Sequence, residues 1–251
     1  MTESYLTQES IRVNVAERKR LFRLSVAFVI IIAFLYFLLK ESIDLNDPAN
    51  REILFLLKAV TGIMVLAVVV GLFKTRRPAV NGENLILPFR EDTKEAVAEI
   101  IDREALEGKI QVEEYIYEFE EGKRPHGEKI VLLPSYLLIC SGGRKIKAIP
   151  RDKIYWICAQ VGKKGGPFIV QLMIFTEKKI FTVSGVEIEH VQKIADKIYQ
   201  YIPNVFNHYD PFILSYELEK LFAKDREEFL EFYRRERESQ RSDEREFYMA
   251  P

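Results

Sequence analysis

The residues of this chain that could do chemistry are two cysteines and three histidines, and their spacing supports no reaction centre. Cys140 and Cys158 stand eighteen positions apart, with no second cysteine or histidine at the spacing of a metal site. His126, His190 and His208 are scattered, without an acid or thiol at the spacing of a catalytic triad. The sequence therefore predicts a protein that is not an enzyme and binds no metal or cofactor, with both cysteines reduced and packed.

A second candidate group consists of basic side chains in three predicted turns of a β-rich region. Near an anionic membrane surface, each such base contributes on the order of 1 kcal/mol to binding. The group is therefore a candidate contact for anionic lipid headgroups or a protein partner, although lysines in turns also serve solubility and edge protection. The glycine-rich turn at 162–166 lacks the Lys-Ser/Thr pair of a phosphate-binding loop. The candidate residues are Arg144, Lys145, Lys147, Lys163, Lys164, Lys178 and Lys179.

Charge is separated along the chain, although the net charge is only -1. Residues 83–121 contain thirteen acids and four bases, a local charge of -9. Residues 142–182 contain nine bases and two acids, a local charge of +7. We therefore expect that the acidic segment can shield the basic turns, in a contact that salt weakens. A nucleic-acid partner is not predicted.

Two apolar stretches must position everything else, because each has the length of a membrane span. Residues 21–39 and 53–73 are both close to the roughly 20 residues that cross a hydrocarbon core. Residues 40–52 connect them and contain the reversal signal Asn46-Asp47-Pro48. The sequence predicts a transmembrane helical hairpin at 21–73, preceded by a cytosolic segment at 1–20.

Basic residues flank this hairpin at its two outer ends, whereas the connecting turn is acidic. The positive-inside bias then places both termini in the cytoplasm of a multi-pass protein of the inner (plasma) membrane. A cleaved signal peptide fits poorly, because no small-residue cleavage site follows the first stretch and a second stretch comes soon after. The flanking bases are Arg18, Lys19, Arg20, Arg23, Lys74, Arg76 and Arg77.

Two features inside the second stretch have simple interpretations. Lys58 is close enough to the outer end for its ammonium group to reach the interface. Ala67 and Gly71 form a pair of small residues that lets two helices approach closely. This pair would serve either the hairpin itself or a homo-oligomer.

The part of the chain after the hairpin alternates between helical and strand patterns. Residues 74–91 are predicted as a linker, and 92–107 as an acidic amphipathic helix capped at Asp92 or Thr93. A helix at 187–202 and a charged helical tail at 211–251 follow later. The apolar stripe of the tail is expected to dock on the rest of the domain, or on a second copy, and Asp225 interrupts it.

Between these helices, a period of two predicts about seven short antiparallel strands. The first begins at Ile110 and is expected to carry a bulge at Glu113-Glu114. Trp156 is expected to anchor the core on the same strand face as Ile154 and Cys158. The remaining strands are predicted at 129–133, 136–140, 145–149, 154–161, 168–175 and 179–183.

Three segments of this region resemble the pleckstrin-homology-like domains of bacterial membrane proteins that place such a domain after two spans. They are KIVLLPSYLLICSGGRKIKAIPRDKIYWICAQ, IVQLMIFTEKKIFTVSG and EIEHVQKIADKIYQYI. The resemblance covers residues 109–202 together with the hairpin. It implies an antiparallel barrel or sandwich at 109–203 capped by a C-terminal helix, and it assigns no functional residues.

The sequence thus predicts an α+β membrane protein, and three functions remain open. The first is a non-enzymatic, membrane-anchored protein that presents its cytosolic domain to a protein partner at the inner leaflet. The second is a sensor of anionic lipid that uses the basic turns. The third is a subunit of a transporter or channel built from oligomerised hairpins.

Overall fold

A computed structural model describes residues 4–42, 51–74, 82–89, 92–117, 127–141, 145–162, 169–202 and 211–249. Within these ranges the chain has the predicted α+β composition, with six α-helices and eight β-strands. The strands form one sheet of five strands and one sheet of three.

The first helix, α1 (Tyr5–Ser42), is continuous over 38 residues and begins well before the apolar stretch at 21–39. At 1.5 Å per residue it is about 57 Å long. It is long and apolar enough to cross a membrane, and none of its most apolar window is buried. Large side chains such as Phe22, Val29 and Phe34 are exposed along it, as expected of a helix that faces lipid.

The second helix, α2 (Arg51–Lys74), covers the other predicted span. Its apolar stretch, Lys58–Gly71, is shorter than a span of the usual length. A Cβ atom on Gly71 would lie 3.3 Å from Leu21 Cδ1, so the start of the apolar part of α1 packs against the end of α2. The described residues therefore contain one helix that is both long and apolar enough to cross a membrane, where the sequence predicts two.

The five-stranded sheet, sheet 1, has the order β1-β5-β4-β3-β2. Strands β2 to β5 form an antiparallel meander, and β1 pairs with β5 in parallel. The predicted linker therefore contains a short strand, because Leu85 and Ile86 pair with Ile146 and Lys147. The strands are β1 (Leu85–Ile86), β2 (Val112–Tyr115), β3 (Lys129–Leu132), β4 (Tyr136–Ser141) and β5 (Lys145–Pro150).

The bulge predicted in β2 is wrong. Strand β2 pairs with β3 in unbroken register, from Val112 opposite Leu132 to Tyr115 opposite Lys129. Val112 lies in the core between the sheets, whereas Tyr115 stacks near Lys129 on the other face. The pattern suggested a bulge because Tyr115 is aromatic, although it lies on the face of sheet 1 that contacts α1 and not in the core between the sheets.

The three-stranded sheet, sheet 2, has the order β6-β7-β8 and is antiparallel. Its register shifts between Ile154 and Trp156. Ile154 therefore belongs to the core between the sheets, whereas Trp156 and Cys158 lie in the core on the outer face of sheet 2. The prediction that these three side chains share a face is wrong, because this irregularity changes the alternation. The strands are β6 (Ile154–Gly162), β7 (Ile169–Thr176) and β8 (Ile180–Gly185).

Two helices of the domain match their predicted positions. Helix α3 (Lys94–Leu106) begins at Thr93, whose side chain accepts from the N–H of Ala96. Helix α4 (Ile188–Tyr199) buries its apolar side, including Val191, Ile194 and Ile198, in the core between the two sheets. This burial explains why its helical periodicity was easy to recognise.

The tail forms two helices, α5 (Pro211–Lys224) and α6 (Arg226–Met249). Asp225 separates them and its Oδ1 accepts from the N–H of Glu228 at 3.1 Å, so it caps α6. Phe222 and Phe229 pack edge to face at 5.1 Å and join Trp156 and Phe175 in the core on the outer face of sheet 2. The prediction that the tail docks on the domain is therefore confirmed.

The domain consists of layers in which helices cover the outer face of each sheet. The central core lies between the sheets and includes α4. The outer face of sheet 1 packs against α1 and α3, and the outer face of sheet 2 packs against α5 and α6. Leu6 and Val13 of α1 are buried in the core beneath sheet 1. The predicted N-terminal segment is thus part of the domain, and the segment that contains the two apolar stretches is an insertion into it.

Candidate functional site

Four of the seven predicted basic residues lie within the described residues. Lys145 and Lys147 belong to β5, where Lys145 is exposed and Lys147 is half-buried. Lys178 and Lys179 are exposed in the turn between β7 and β8. Outside the described residues lie Arg144, Lys163 and Lys164.

Helix α1 runs past the start of β5, next to Lys145. Ser10 Oγ donates to Asn84 Oδ1 at 3.0 Å. The carbonyl of Asn84 accepts from the N–H of Ile146, the residue after Lys145, at 3.2 Å. Because Ile146 is the second residue of β5, α1 passes the edge of sheet 1 at which β5 begins.

Two residues further along α1, Arg12 contacts the segment that leads into β3. Its Nη1 donates to the carbonyl of Gly127 at 3.2 Å, and Gly127 stands two residues before β3. The starts of β3 and β5 lie at the same end of sheet 1, because Lys129 and Lys145 pair with the last two residues of β4. We call this end, marked by Gly127 and Lys145, the α1 end of the domain.

The lysine pair 178–179 lies at the opposite end. Strand β5 runs from Lys145 to Pro150, and a single helical turn then leads to Lys153. The carbonyl of Lys153 accepts from the N–H of Glu177 at 3.1 Å, which places the β7–β8 turn beside the end of β5. The structure therefore divides the predicted basic group between two ends and does not form one site from it.

The end of β6 and the start of β7 lie at the α1 end. Gly162 pairs with Ile169, next to Val170, which pairs with Gly185. A Cβ on Gly185 would lie 3.3 Å from the side chain of Ile116. The N–H of Ile116 donates to the carbonyl of Glu128 at 3.0 Å, next to Gly127. Gly162 and Ile169 therefore lie on the same side of the domain as Lys145.

A buried group of charges, which sequence reasoning missed, holds α1 on sheet 1. Lys129 is only 3% exposed and donates from Nζ to Glu9 of α1 and to Glu113 Oε1, the latter at 2.6 Å. Arg12 Nε donates to Glu9 Oε2 at 2.7 Å, and Tyr5 donates to Glu113 Oε1 at 3.3 Å. A buried ammonium is tolerated only where such partners compensate its lost hydration. We call these five residues the α1 latch.

The electrostatics of the α1 latch favour the charged form of Lys129. Burial alone would lower the pKa of Lys129, but the carboxylates of Glu9 and Glu113 outweigh burial, so this pKa is raised. The Nζ atom also lies 5.7 Å from the ring centre of Tyr5 and 5.8 Å from that of Tyr115. These aromatic faces add a cation–π attraction.

The sequence holds a weak signal for the latch. Leu6, Ser10 and Val13 recur at helical spacing upstream of the apolar stretch, so a helix beginning near residue 5 was detectable. The pairing of Glu9 with Lys129 was not detectable, because these residues are 120 positions apart.

Cys140 lies beside the α1 latch, and its thiol is unreactive. It is fully buried and free. Burial raises the pKa of this thiol to about 12, with a further contribution from Glu9. Cys158 is also buried and free, and burial raises its pKa too. At neutral pH both thiols are protonated, so they are poor nucleophiles and poor metal ligands.

Acidic residues of α3 have structural partners away from Lys145. Asp102 Oδ1 accepts from the N–H of Leu6 at 2.9 Å, in the first turn of α1, where a carboxylate is favoured by the helix dipole. Glu104 Oε2 accepts from the N–H of Ser135 at 3.2 Å. The first contact lies on the outer face of sheet 1, and the second lies at the end of sheet 1 opposite the α1 end. The predicted shielding of the basic turns by this helix stays a prediction.

A cavity of about 570 Å³ lies at the end of the domain opposite α1, between α3, the β3–β4 turn, α4 and α6. Tyr136 lines it and donates to Asp92 Oδ2 at 3.3 Å, and burial followed by the charge of Asp92 raises the pKa of Tyr136 to about 12. Asp152, Arg151 and Arg237 also line it. Acids and bases are mixed in this lining, so it favours no single charge of ligand.

No group of three or more histidines, cysteines and acids suited to a metal ion occurs among the described residues. His190 Nε2 lies 2.8 Å from the carbonyl of Tyr115, a contact that ties α4 to β2. His126 and His208 lie outside the described residues.

Comparison with family models, curated proteins and solved structures gave no match to this chain. The resemblance to pleckstrin-homology-like domains therefore rests on the segments quoted above.

Proposed function

We propose that this chain is a two-span membrane protein that holds one cytosolic domain against the inner face of the membrane, where the domain binds a protein partner. One observation carries the anchoring role. The first turns of α1 and the strands that follow α2 build the same core, although span-length apolar sequence separates them. If α1 crosses the membrane, and residues before and after the hairpin belong to the same domain, the chain must cross back to the side on which it began.

Helix α2 is the segment available for this return. If α1 crosses the bilayer once, the chain must cross again between residues 43 and 81 to rejoin the domain. Helix α2 has 24 residues, and a helix of that length extends about 36 Å, more than the roughly 30 Å of a hydrocarbon core. Its contact with Leu21 through Gly71 places its end beside the start of the apolar part of α1. The two-span hairpin thus accounts for the topology better than a single span.

The orientation follows from the bases at the domain side of the hairpin. Arg18, Lys19 and Arg20 are exposed on α1 between the domain and the apolar stretch. The positive-inside bias assigns this side to the cytoplasm, together with both termini.

The chemistry-bearing residues that we located support binding rather than catalysis. The buried charges hold α1, and both thiols are protonated. The exposed face of α6 carries Arg234, Arg235 and Glu238, a mixed surface suited to a charged protein partner. A second candidate function, contact with anionic lipid, is favoured by the position of Lys145 at the α1 end.

Single-cysteine labelling in intact cells tests the anchor. Asn46→Cys lies in the turn between the spans, and Val186→Cys lies at an exposed site of the domain, where Val186 is 64% exposed. We expect an impermeant maleimide to label Asn46→Cys from outside and to label Val186→Cys only after the membrane is opened. The native chain is the control, because its two thiols are buried. Labelling of both variants from one side would reject the hairpin.

A pull-down from detergent-solubilised membranes tests the binding role. We expect a protein partner to be retained by the full chain and lost when Arg234 and Arg235 are both replaced by Glu. Retention that is unchanged by this reversal would remove α6 as the binding surface.

A further inference from the structure

We propose that the α1 end of the domain lies on the inner leaflet and contacts anionic lipid headgroups through Arg18, Lys19, Arg20 and Arg23 of α1 and Lys145 of β5. This inference rests on the anchor proposed above. It names the surface and the chemistry of its partner, and it leaves Lys178 and Lys179 out of the contact. We call the five bases the headgroup surface.

The length of α1 between the domain and the apolar stretch sets the distance of the domain from the bilayer. Val13 is the last apolar residue of α1 that is buried in the domain, at 3% exposure. The apolar stretch begins at residue 21, eight positions later, which corresponds to about 12 Å of helix. Each headgroup layer is roughly 5 to 8 Å thick. The α1 end therefore cannot be far from the headgroups.

The helix is unbroken across this interval, so the distance is maintained. Helix α1 is a single element from Tyr5 to Ser42, and the α1 latch fixes its first turns to sheet 1. A flexible linker would let the domain move away from the membrane, whereas a continuous helix holds one end of the domain towards it.

The exposed charges on the stem of α1, between the domain and the apolar stretch, are mainly positive. All five bases of the headgroup surface are exposed. Glu9 and Glu113 are paired with Lys129, and Glu17 lies 4.0 Å from Arg20. Residues 17–23 contain four bases and one acid. The other acids at this end, Glu83, Glu128, Glu187 and Glu189, belong to the domain and not to the stem.

The arrangement fits a charged plane better than a small soluble anion. Three of the bases occupy successive positions of a helix stem, Arg23 follows three positions later, and Lys145 belongs to a neighbouring strand. A free phosphate or a similar ion would need several donors that converge on one point. Bases spread around a membrane helix instead attract a leaflet that carries many separate charges.

The opposite end provides a matched control. Strand β5 has six residues from Lys145 to Pro150, which separates the two ends by at least about 17 Å. This is about two Debye lengths at physiological salt. Lys178 and Lys179 are exposed lysines of the same chemistry, and the geometry predicts that they do not sense the leaflet.

Lysine acylation of the full chain in nanodiscs tests the headgroup surface. Acylation rates at each lysine are measured by mass spectrometry in neutral phosphatidylcholine and in a mixture with phosphatidylglycerol. We expect the rates at Lys19 and Lys145 to fall at least about threefold in the anionic mixture at physiological salt, because its negative potential favours the unreactive ammonium. The rates at Lys178 and Lys179 should be equal in both lipids.

Two additions make the result decisive. Inorganic phosphate added to neutral nanodiscs should not protect Lys145 from acylation. In anionic nanodiscs, Lys145→Glu should reduce the protection of Lys19 from acylation, whereas Lys178→Glu should leave it unchanged. Equal rates at Lys145 in both lipids, equal protection at Lys178, or equal protection by phosphate would each overturn the proposal.

The two proposals fail in different ways. If Asn46→Cys is labelled from outside and Lys145 is not protected, the anchor stands and the headgroup surface is wrong. If the full chain does not enter nanodiscs, the anchor itself is wrong and the headgroup surface fails with it.

Discussion

At the scale of single residues, the domain depends on a few polar contacts made inside apolar surroundings. Lys129 is the clearest example, because it stands among apolar strands and joins acids from α1 and β2. Removing Lys129 takes away the ammonium that both acids share and leaves the buried Glu9 with Arg12 as its remaining charged partner. The α1 latch is therefore expected to be far more sensitive to substitution than the exposed lysines.

We expect Lys129→Met to lower the free energy of unfolding by about 3 kcal/mol, because Glu9 and Glu113 lose their common partner. The measurement is urea unfolding of the full chain in detergent, followed by the fluorescence of Trp156. Lys178→Met is the control and should change stability by less than about 0.5 kcal/mol. Equal stability of the two variants would show that the latch contributes nothing.

The raised pKa of Cys140 predicts a loss of stability at alkaline pH. The unfolded chain loses the thiol proton above about pH 9, whereas the folded domain keeps it until about pH 12. This contribution is complete below pH 9 and declines by up to about 1.4 kcal/mol for each pH unit above it. Cys140→Ala should therefore show a shallower decline in urea unfolding between pH 9 and 11. Parallel curves for the two proteins would contradict this assignment.

At the scale of elements, helices that cover the two sheets contribute much of the buried surface. Helices α5 and α6 supply Phe222 and Phe229 to the core on sheet 2, where Phe229 stacks on Phe175 at 5.9 Å. The sequence predicted this docking from the apolar stripe of the tail. It did not reveal which face receives the stripe, because that depends on the register shift at the start of β6.

We expect Phe229→Ala to destabilise the domain by about 3 to 5 kcal/mol, since it leaves a cavity between α6 and sheet 2. Tyr216→Ala, in α5, is the matched control because Tyr216 is 56% exposed. Thermal unfolding in detergent should show a lower Tm for Phe229→Ala and a Tm close to that of the native chain for Tyr216→Ala. Similar Tm values would mean that the tail is not docked.

The elements also show how far sequence reasoning reaches. Strands β3 to β8 and helices α3 and α4 fall within three residues of their predicted bounds, because each carries a regular apolar period. Strand β1 was missed, since two residues provide no period. The sequence also did not predict that the basic group is divided between two ends of the domain. A sequence shows which lysines lie in turns, but strand pairing determines the end of the sheet at which each turn lies.

At the scale of the whole molecule, the segment that contains the two apolar stretches is inserted between two parts of one domain. The first part is the start of α1, and the second begins at Gly82. Leu6 and Val13 from the first part cover Val131, Leu138 and other apolar residues of sheet 1. A soluble fragment that starts after the hairpin would therefore expose this face and leave Lys129 without Glu9.

We expect a fragment of residues 82–251 to aggregate or to bind hydrophobic dyes, because the outer face of sheet 1 is uncovered. A fusion of residues 1–16 to residues 82–251 through a flexible linker should be more soluble and show a sharper thermal transition. Replacing Leu6 by Asp in this fusion is the control that should abolish the gain. If the unfused fragment is equally soluble and cooperative, α1 is not part of the domain core.

The insertion also has a consequence for how the protein is made. Contacts of the α1 latch join residues 108 to 120 positions apart, so the first turns of α1 leave the ribosome long before their partners. In the proposed two-span topology, the hairpin enters the bilayer in this interval, before the partners of the N-terminal residues have been made. The domain can then be completed only if both helices return the chain to the same side, because a chain with the wrong topology would keep the two parts of its core on opposite sides of the membrane. Folding of the domain is in this sense a test of correct insertion, and a failed insertion leaves an exposed apolar face for quality-control proteases.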